Sequence, residues 1–488
     1  MDTLELEAPL RTGLFIGGEW TTSAGGTAPA IDPSTGRELA SIAQATVSDV
    51  AAGVAAAREA FESGPWATQP PVERGRVLLR IANLIRQRAE SLARLESLDT
   101  GKTLRQARAD VQVAARYFEF YGGVADKIMG ETIPLGMNMT DFTLREPIGV
   151  SAQIIPWNYP LQIGSRGIAP ALAAGCTVVV KPASEAPLGV LQVAEIAREA
   201  GLPPGVLNIT PGRGSVVGDA LVASRGVNQV TFTGSVQTAI DVERRVAENL
   251  IPTVVEAGGK SPNLVFADAE IDAAVRGVLN SIIQNAGQTC SAGSRLLVQD
   301  EVHDEVVGRL VEQFSALRLG PGIEDLDVGP IISHVQLTRI AEHVDRARDA
   351  GAQILVGGAR SDAPELWGGF FYQPTVVDGV DRSSAIVQEE VFGPVLSVLR
   401  FRDVDEALSL ANDSEFGLIA GVWTRNIDTV MRLSRRLAVG QVYVNTYGAG
   451  GGVELPFGGY KRSGFGREKG LEALRSYTIV KNVCVLHT

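Results

Sequence analysis

The sequence predicts an α/β protein in which a parallel, doubly wound sheet is followed by a second α/β region. From Val150 onward, short β-branched and apolar runs alternate with helical stretches of roughly 10–15 residues, the pattern of repeated strand–helix–strand units. Strands are predicted at residues 150–155, 177–181, 206–210, 229–232 and 253–256. Gly258-Gly259 ends this series, and further strands are predicted at 264–266, 295–298, 375–377 and 442–444. A chain of 488 residues is long enough for two or three domains.

The region before residue 130 is predicted to be mainly helical. Ser48 would cap a helix over 49–62, and an apolar stripe predicts one helix over 72–97 and another over 104–121. Segments 130–144 and 475–486 alternate in polarity, which is typical of strands with one exposed face. The glycine-rich run 448–452 predicts a mobile loop.

Composition limits the classes of function. Hydrophobic residues make up 45% and charged residues 20%, as in ordinary globular proteins, and the net charge of −12 argues against a nucleic-acid partner. Three cysteines and four histidines form no zinc-like cluster and no even disulfide framework, so we expect no metal and a reducing compartment. The acidic start lacks the features of a signal peptide, and no apolar run is long enough to span a membrane. A cytoplasmic location is therefore expected.

One cysteine has the setting of a nucleophile. Cys290 lies between glycines and serines in the segment Gly287 to Arg295, where a substrate could approach closely. A thiolate is a strong nucleophile, although a buried cysteine that packs as a small hydrophobe is the more common case. Cys176, in a buried-strand pattern, and Cys484, in an apolar tail, fit that second interpretation better.

Two polar residues follow predicted strands at Pro- or Gly-rich turns. Asn158 comes after the strand at 150–155, and Glu256 ends the strand at 253–256. Active sites of open α/β sheets lie at such strand ends. By themselves, Asn158 could equally be a turn residue, and Glu256 could form a salt bridge.

Together these segments resemble the NAD(P)-dependent aldehyde dehydrogenase superfamily from about Phe15 to the C-terminus. Seven of the family's motifs occur in its order: Pro156-Trp157-Asn158, Lys181-Pro182, Phe232-Thr233-Gly234-Ser235, Glu256-Ala257-Gly258-Gly259-Lys260, the Cys290 segment, Glu389-Glu390-Val391-Phe392-Gly393-Pro394 and Pro456-Phe457-Gly458-Gly459. The resemblance implies a Rossmann-type cofactor domain over 1–127 and 148–257 and a catalytic domain over 258–466. It also implies a small oligomerisation sheet from 128–147 and 467–488, and hence a homodimer or homotetramer.

The same resemblance implies a hydrolytic dehydrogenase mechanism. Cys290 would attack the aldehyde, the Asn158 amide and the Cys290 N–H would stabilise the oxyanion, and Glu256 would activate water. Glu468 matches a second acid that relays protons, but Gly167 stands where that relay often has lysine. Relatives that acylate coenzyme A lack the glutamate base, so Glu256 indicates a free carboxylic acid as product.

NAD or NADP is the cofactor that the resemblance implies. The matching positions are Ile154, Pro156, Trp157, Lys181, Ser184, Gly214, Phe232, Gly234, Ser235, Glu390 and Phe392. Many NAD-preferring members carry glutamate at the position of Ser184, where it repels a 2′-phosphate. A neutral serine removes that repulsion and makes NADP possible, although Glu185 could partly restore it.

The substrate is expected to be a small-molecule aldehyde. By resemblance, Tyr159, Ile163, Arg166 and Phe457 line its tunnel, and the guanidinium of Arg166 would suit a carboxylated semialdehyde or a polar aromatic aldehyde. Arg166 could instead pair with a protein carboxylate such as Glu454. A free Glu454 would favour betaine aldehyde or an aminoaldehyde.

Two classes other than dehydrogenases are less compatible with the sequence. A cysteine esterase would need a histidine partner for Cys290, and none of the four histidines lies in a motif. A non-catalytic structural protein would not need every catalytic position of the family.

Overall fold

The computed structural model describes residues 10–448 and 452–487, in which helices cover two large sheets. The α-helices of this part are α1 (Val47–Glu62), α2 (Pro71–Gln87), α3 (Ala89–Thr100), α4 (Leu104–Val124), α5 (Pro160–Ala174), α6 (Leu188–Glu199), α7 (Asp219–Ala223), α8 (Val236–Ala247), α9 (Ile271–Ile283), α10 (His303–Ser315), α11 (His334–Asp349), α12 (Ala385–Gln388), α13 (Val404–Asn412), α14 (Ile427–Arg436) and α15 (Gly470–Ser476). Its strands are β1 (Leu14–Ile16), β2 (Glu19–Thr21), β3 (Thr27–Asp32), β4 (Arg37–Ala43), β5 (Thr132–Ile133), β6 (Met139–Pro147), β7 (Val150–Ile154), β8 (Thr177–Lys181), β9 (Leu207–Ile209), β10 (Gln229–Thr233), β11 (Thr253–Glu256), β12 (Pro262–Val265), β13 (Arg295–Gln299), β14 (Gln353–Val356), β15 (Thr375–Asp378), β16 (Val395–Phe401), β17 (Phe416–Gly417), β18 (Ile419–Trp423), β19 (Gln441–Val444), β20 (Tyr460–Lys461), β21 (Gly464–Phe465) and β22 (Thr478–Leu486).

The first large sheet has the doubly wound order that the sequence predicts. Its eight strands run β2-β1-β9-β8-β7-β10-β11-β21, and β7 to β11 are parallel. The chain proceeds outward from β7 on one side through β8 and β9, and on the other through β10 and β11. This reversal at β7 creates a crevice at the carboxyl ends of the strands, where open α/β sheets bind ligands.

The second large sheet has the order β14-β15-β16-β13-β12-β18-β19. The four strands that the sequence predicts for this region are confirmed, whereas β14, β16 and β18 were not predicted. Gly421 interrupts the β-branched pattern of β18, because a Cβ there would lie 2.5 Å from the Asn263 side-chain oxygen and 2.8 Å from the Tyr447 ring.

Two helix predictions are wrong in detail. Thr46, not Ser48, caps α1: its side chain accepts from the Asp49 N–H while the Asp49 side chain accepts from the Thr46 N–H. The single helix predicted over 72–97 is two helices, because the backbone leaves helical geometry at Arg88 (φ −102°, ψ 19°).

Segments 130–144 and 475–486 contribute to one small sheet, with the order β22-β6-β5. Several apolar side chains on this sheet are exposed: Met139, Leu144, Ile479, Val480, Val485 and Leu486. Its role in oligomerisation and the domain boundaries remain predictions. Of the predicted loop at 448–452, residues 449–451 lie outside the described residues.

The described residues include no helix long and apolar enough to cross a membrane. Within the same ranges, no group of three or more His, Cys, Asp or Glu could hold a metal ion.

Candidate active site

A cavity of about 300 Å³ brings together the three residues that the sequence singles out for chemistry. Asn158 follows β7 and Glu256 ends β11, so both come from the carboxyl edge of the first sheet. Cys290 comes from the segment that leads into β13 of the second sheet. The cavity therefore lies between the two sheets, and neither sheet forms it alone.

Cys290 is partly exposed, whereas Cys176 is buried in the core. The backbone approaches closely here, since a Cβ on Gly259 would lie 2.2 Å from the Cys290 carbonyl oxygen. Burial raises the pKa of the Cys290 thiol to about 12, although the positive charge of Arg166 opposes this shift. The thiol is thus held protonated near neutral pH, and it needs a proton acceptor to become a nucleophile.

The Asn158 side chain is buried and points towards the nucleophile segment. Its amide nitrogen donates to the Gln288 carbonyl at 3.0 Å, which uses one of its two N–H groups. The backbone carbonyl oxygen of Asn158 accepts from Asn285 Nδ2 at 2.9 Å and from Lys102 Nζ at 3.0 Å. Asn285 has a positive φ of 50°, a conformation that asparagine tolerates better than most residues.

Glu256 is 1% exposed, and neither carboxyl oxygen has a hydrogen-bond partner among the described residues. Burial raises the pKa of Glu256 well above its usual range, and the nearby Glu468 carboxyl raises it further. Such a carboxyl stays neutral at a pH where exposed glutamates are ionised. It acts as a general base only in its ionised form, which it gains at a higher pH than an exposed glutamate does.

Glu468 and Arg166 form a buried ion pair next to this base. A two-residue bridge fixes Glu468, since its N–H donates to the Phe457 carbonyl at 2.7 Å and its carbonyl accepts from the Phe457 N–H at 2.6 Å. Arg166 also lies 5.2 Å from the Phe457 ring centroid. The suggestion that Glu454 pairs with Arg166 is wrong, because Glu454 instead pairs with Arg116 at 2.5 Å in an exposed position.

Gly167 occupies the relay position where the family often has lysine. A Cβ there would lie 2.6 Å from the Gln153 side-chain oxygen, so a side chain at position 167 would require the buried Gln153 to move. Arg166 thus provides the positive charge that contacts Glu468.

The nicotinamide end of the predicted cofactor site lies in the same cavity, whose walls include Pro156, Trp157, Gly234, Ser235, Glu390 and Phe392. The rings of Trp157 and Phe392 pack edge to face, with centroids 5.2 Å apart. Glu390 accepts from the Gly259 N–H at 2.9 Å, and burial raises its pKa to about 7.

At the adenosine end, Lys181 is buried at the end of β8 and donates to the Pro182 carbonyl at 2.9 Å. Burial lowers the pKa of Lys181 to about 8. Ser184 is exposed, and its hydroxyl donates to the Gly212 carbonyl at 3.2 Å. Gly214 begins a short helical turn over Gly214–Gly218, and its first three residues are exposed.

The predicted phosphate end of the site is the N-terminus of α8. Ser235 caps this helix, and its hydroxyl accepts from the Thr238 N–H. Gly234 permits close approach of the chain, since a Cβ there would lie 2.6 Å from the Phe232 ring. Phe232 itself is buried under this turn, and Ile154 is partly buried beside it on β7. A helix N-terminus, the Glu390 carboxyl and aromatic walls fit a dinucleotide such as NAD(P).

Tyr159, Ile163 and Phe457, which the sequence predicts to line the substrate tunnel, are all buried, and Phe457 packs in one apolar cluster with Cys290. A second cavity, of about 580 Å³, lies beside Ser291, whose carbonyl accepts from the Tyr447 hydroxyl at 2.7 Å.

Sequence reasoning missed two groups of residues. The first is Lys469, whose ammonium lies 5.0 Å from the centroid of the Phe457 ring and whose pKa burial lowers to about 8. Its position next to Glu468 in the sequence could have indicated that it belongs to the site. One side of α11 lines the cofactor cavity with Gln336, Arg339, His343 and Arg346. No local motif marks that helix, because only the tertiary fold brings it to the site.

Comparison with known proteins gives consistent matches over nearly the whole chain. The profile described as the aldehyde dehydrogenase family matches residues 20–483. A betaine aldehyde dehydrogenase from Bacillus subtilis (strain 168) is 43% identical over 96% of this chain and 96% of its own length. A hydroxyisobutyraldehyde dehydrogenase from Mycolicibacterium austroafricanum is 40% identical over 99% of this chain and 96% of its own. A crystal structure of betaine aldehyde dehydrogenase from Staphylococcus aureus in complex with NAD+ has a TM-score of 0.97 at 40% identity, covering 99% of this chain and 96% of that chain.

Proposed function

The chain belongs to the aldehyde dehydrogenase family, and we propose that it oxidises an aldehyde to the free carboxylic acid through a thioester on Cys290. It is an oxidoreductase that acts on aldehydes, and NAD or NADP fits its cofactor site. The observation that carries the proposal is the meeting of Cys290, Asn158 and Glu256 in one cavity, where the buried Glu256 carboxyl has no hydrogen-bond partner in the described part of the chain.

In the proposed reaction, the Cys290 S–H gives its proton to solvent water and the sulfur bonds to the aldehyde carbon, while the electron pair of the C=O π bond moves to the carbonyl oxygen as its negative charge. The second N–H of the Asn158 amide and the Cys290 backbone N–H stabilise that charge. When bound, NAD(P) supplies the acceptor for the hydride that leaves the substrate carbon, with Trp157, Glu390 and Phe392 holding its nicotinamide end. Glu256 then takes a proton from water, whose oxygen bonds to the thioester carbon and releases the acid and the Cys290 thiol.

A cysteine esterase would need histidine to deprotonate Cys290. His343 is the histidine that lines this cavity in the described chain, but its Nδ1 contacts Arg346 at 2.8 Å. Burial lowers the pKa of His343 to about 4, which makes it a weak base.

The first test is replacement of the nucleophile. Cys290→Ala should abolish aldehyde oxidation while NAD binding, followed by fluorescence titration, stays near normal. Cys484→Ala is the matched control and should retain full activity, because that cysteine is exposed on β22. Turnover by Cys290→Ala above about a hundredth of wild type would contradict the assignment, since loss of the nucleophile removes far more than one oxyanion donor does.

For the substrate, we propose an aldehyde that carries a carboxylate or another electron-rich polar group. Arg166 and Lys469 both flank Phe457, so two cations adjoin the apolar wall of the site. The Arg166 Nε is buried without a hydrogen-bond partner among the described residues, although Nη2 of the same guanidinium contacts both Glu468 and Thr233. One N–H donor therefore remains for a substrate oxygen or a water molecule.

This substrate proposal predicts a charge-dependent response to Arg166→Met. Losing a charge-assisted hydrogen bond costs about 1.5–3 kcal/mol, so kcat/KM for 4-carboxybenzaldehyde should fall by roughly one to two powers of ten more than for benzaldehyde. Arg116→Met, which breaks the exposed pair with Glu454, is the control and should affect both substrates little. An equal loss of kcat/KM for the two aldehydes in Arg166→Met would show that Arg166 acts only through its ion pair with Glu468.

A cationic substrate is the second candidate, because one of the relatives at 43% identity is a betaine aldehyde dehydrogenase. The pairing of Glu454 with Arg116 weakens this candidate, since that carboxylate is already neutralised. Initial rates with betaine aldehyde and aminobutyraldehyde, measured beside the carboxylated substrates, decide between the two.

We further propose that the small β22-β6-β5 sheet mediates a homodimer or homotetramer. Its exposed apolar side chains would be covered by a second copy of the chain.

A further inference from the structure

A buried ion cluster lies directly behind Asn158, outside the cavity. It consists of Glu96 in α3, Lys102 in the connection to α4, and Asp110 in α4. The Lys102 side chain is completely buried, as is that of Glu96. These three residues belong to none of the motifs that the family resemblance uses.

The Lys102 ammonium group contacts two carboxylates and one backbone carbonyl. It pairs with the Asp110 carboxylate, lies 3.6 Å from the Glu96 carboxylate, and donates to the Asn158 carbonyl oxygen at 3.0 Å. It also lies 4.1 Å from the centroid of the Tyr159 ring. The ammonium thus donates to two acceptors, Asp110 and the Asn158 carbonyl, while Glu96 adds a second negative charge nearby.

Stability alone is a poor explanation for this cluster. Removing a lysine and two carboxylates from water costs several kcal/mol per ion, and well-packed apolar residues of similar volume are often as stable or more so. The contact that apolar residues could not reproduce is the one from Lys102 to the backbone of Asn158.

The Asn158 carbonyl is held from two directions. Lys102 reaches it from the α3–α4 connection, and Asn285 Nδ2 reaches it from the segment that carries Cys290. Asn285 also donates to the Gln288 carbonyl at 3.3 Å, the same oxygen that accepts from the Asn158 amide. The peptide of Asn158 is thereby fixed relative to the nucleophile segment, and with it the direction of the remaining amide N–H.

We propose that Lys102 is a positioning residue that holds Asn158 in place for oxyanion stabilisation, with Asp110 and Glu96 as its counter-charges. The inference rests on the proposed function, because it assumes that Asn158 acts on the oxyanion. Oxyanion donors must be aimed within a few tenths of an ångström, so loss of the Lys102 contact should lower the rate of hydride formation without removing any group that touches the substrate.

The test is a double-mutant cycle between Lys102→Met and Asn158→Ala, read as the single-turnover rate of NADH formation. Since removing one oxyanion donor costs about 10²–10³ in rate, we expect Lys102→Met to cost roughly 10–100-fold in the wild-type background. In the Asn158→Ala background the same change should cost less than about threefold, because the effect passes through Asn158. The NAD dissociation constant and the rate of Cys290 alkylation by iodoacetamide should be unchanged in Lys102→Met.

Arg74→Met is the control for loss of a buried cation. Arg74 is buried in α2 and donates to the Ala173 carbonyl at 3.1 Å, away from the cavity. The Arg74→Met substitution should lower the melting temperature and leave the single-turnover rate unchanged. If Lys102→Met does not fold, the charge-balanced Lys102→Met/Asp110→Asn variant takes its place in the cycle.

The outcomes separate this inference from the function on which it rests. Equal losses from Lys102→Met in both backgrounds, or no loss in either, would overturn the positioning role while the effect of Asn158→Ala persists. If Asn158→Ala itself leaves the rate of NADH formation unchanged, the oxyanion role proposed for Asn158 fails first.

Discussion

Glu256 and Glu468 influence each other's protonation, and Arg166 acts on both. The charge of Glu468 raises the pKa of Glu256, whereas Arg166 lowers the pKa of each carboxyl. Burial outweighs these effects and raises the pKa of both groups. The base form of Glu256 is therefore gained only as pH rises above the usual carboxyl range.

This arrangement predicts a shift in pH dependence for Glu468→Gln. The substitution removes a negative charge near Glu256 and leaves Arg166 without its carboxylate, and both changes favour ionised Glu256. The rising limb of deacylation rate against pH should therefore move to lower pH. Thioester hydrolysis after a single turnover gives this profile, and a shift to higher pH would contradict the electrostatic explanation.

The sequence singled out individual site residues more successfully than the side chains with which they form ion pairs. Motifs place Cys290, Asn158 and Glu256 because each lies in a distinctive local turn. The Arg166–Glu468 pair could not be predicted in this way, since the two residues are far apart in sequence and only the bridge between Phe457 and Glu468 brings them together. Glu454 was the plausible acid near the same motif, but its side chain pairs with Arg116.

Among the structural elements, the turn after β8 is where the two cofactors would be distinguished. Ser184 is exposed and neutral there, and its hydroxyl already donates to Gly212. Glu185 is the adjacent acid and is also exposed.

We predict that the enzyme uses NADP measurably, because no carboxylate at position 184 repels a 2′-phosphate. Ser184→Glu should raise the ratio of kcat/KM for NAD to that for NADP by roughly tenfold or more, the scale of one unfavourable charge contact. Glu185→Gln is the companion variant and should shift the ratio towards NADP if Glu185 contributes. Complete rejection of NADP by the wild type would show that another group discriminates.

The strands of the first sheet were predictable because β-branched runs end at Pro or Gly turns, as at β8 and β11. The break between α2 and α3 was not, because Arg88 is a good helix former and no Gly or Pro marks the position. β18 was not predicted because Gly421 weakens its strand pattern. Glycine is required there because a Cβ would lie too close to the Asn263 side chain.

Across the whole molecule, the central feature is a site assembled from two sheets. The first contributes Asn158 and Glu256 at the carboxyl ends of its strands, and the second contributes Cys290 just before β13. The order of the motifs predicts these ingredients, but not the α11 surface that closes the cofactor side of the cavity. That surface depends on long-range packing, which a single sequence does not reveal.

The most direct test of this account is rapid mixing of Glu256→Gln with NAD and aldehyde, with the acyl group located by mass spectrometry. If Cys290 and Glu256 perform the two successive steps, the variant should form about one equivalent of NADH per active site in a burst and then turn over slowly. The Cys290 peptide should carry the acyl mass during the slow phase. Absence of the burst, or an acyl group on any residue other than Cys290, would contradict the account.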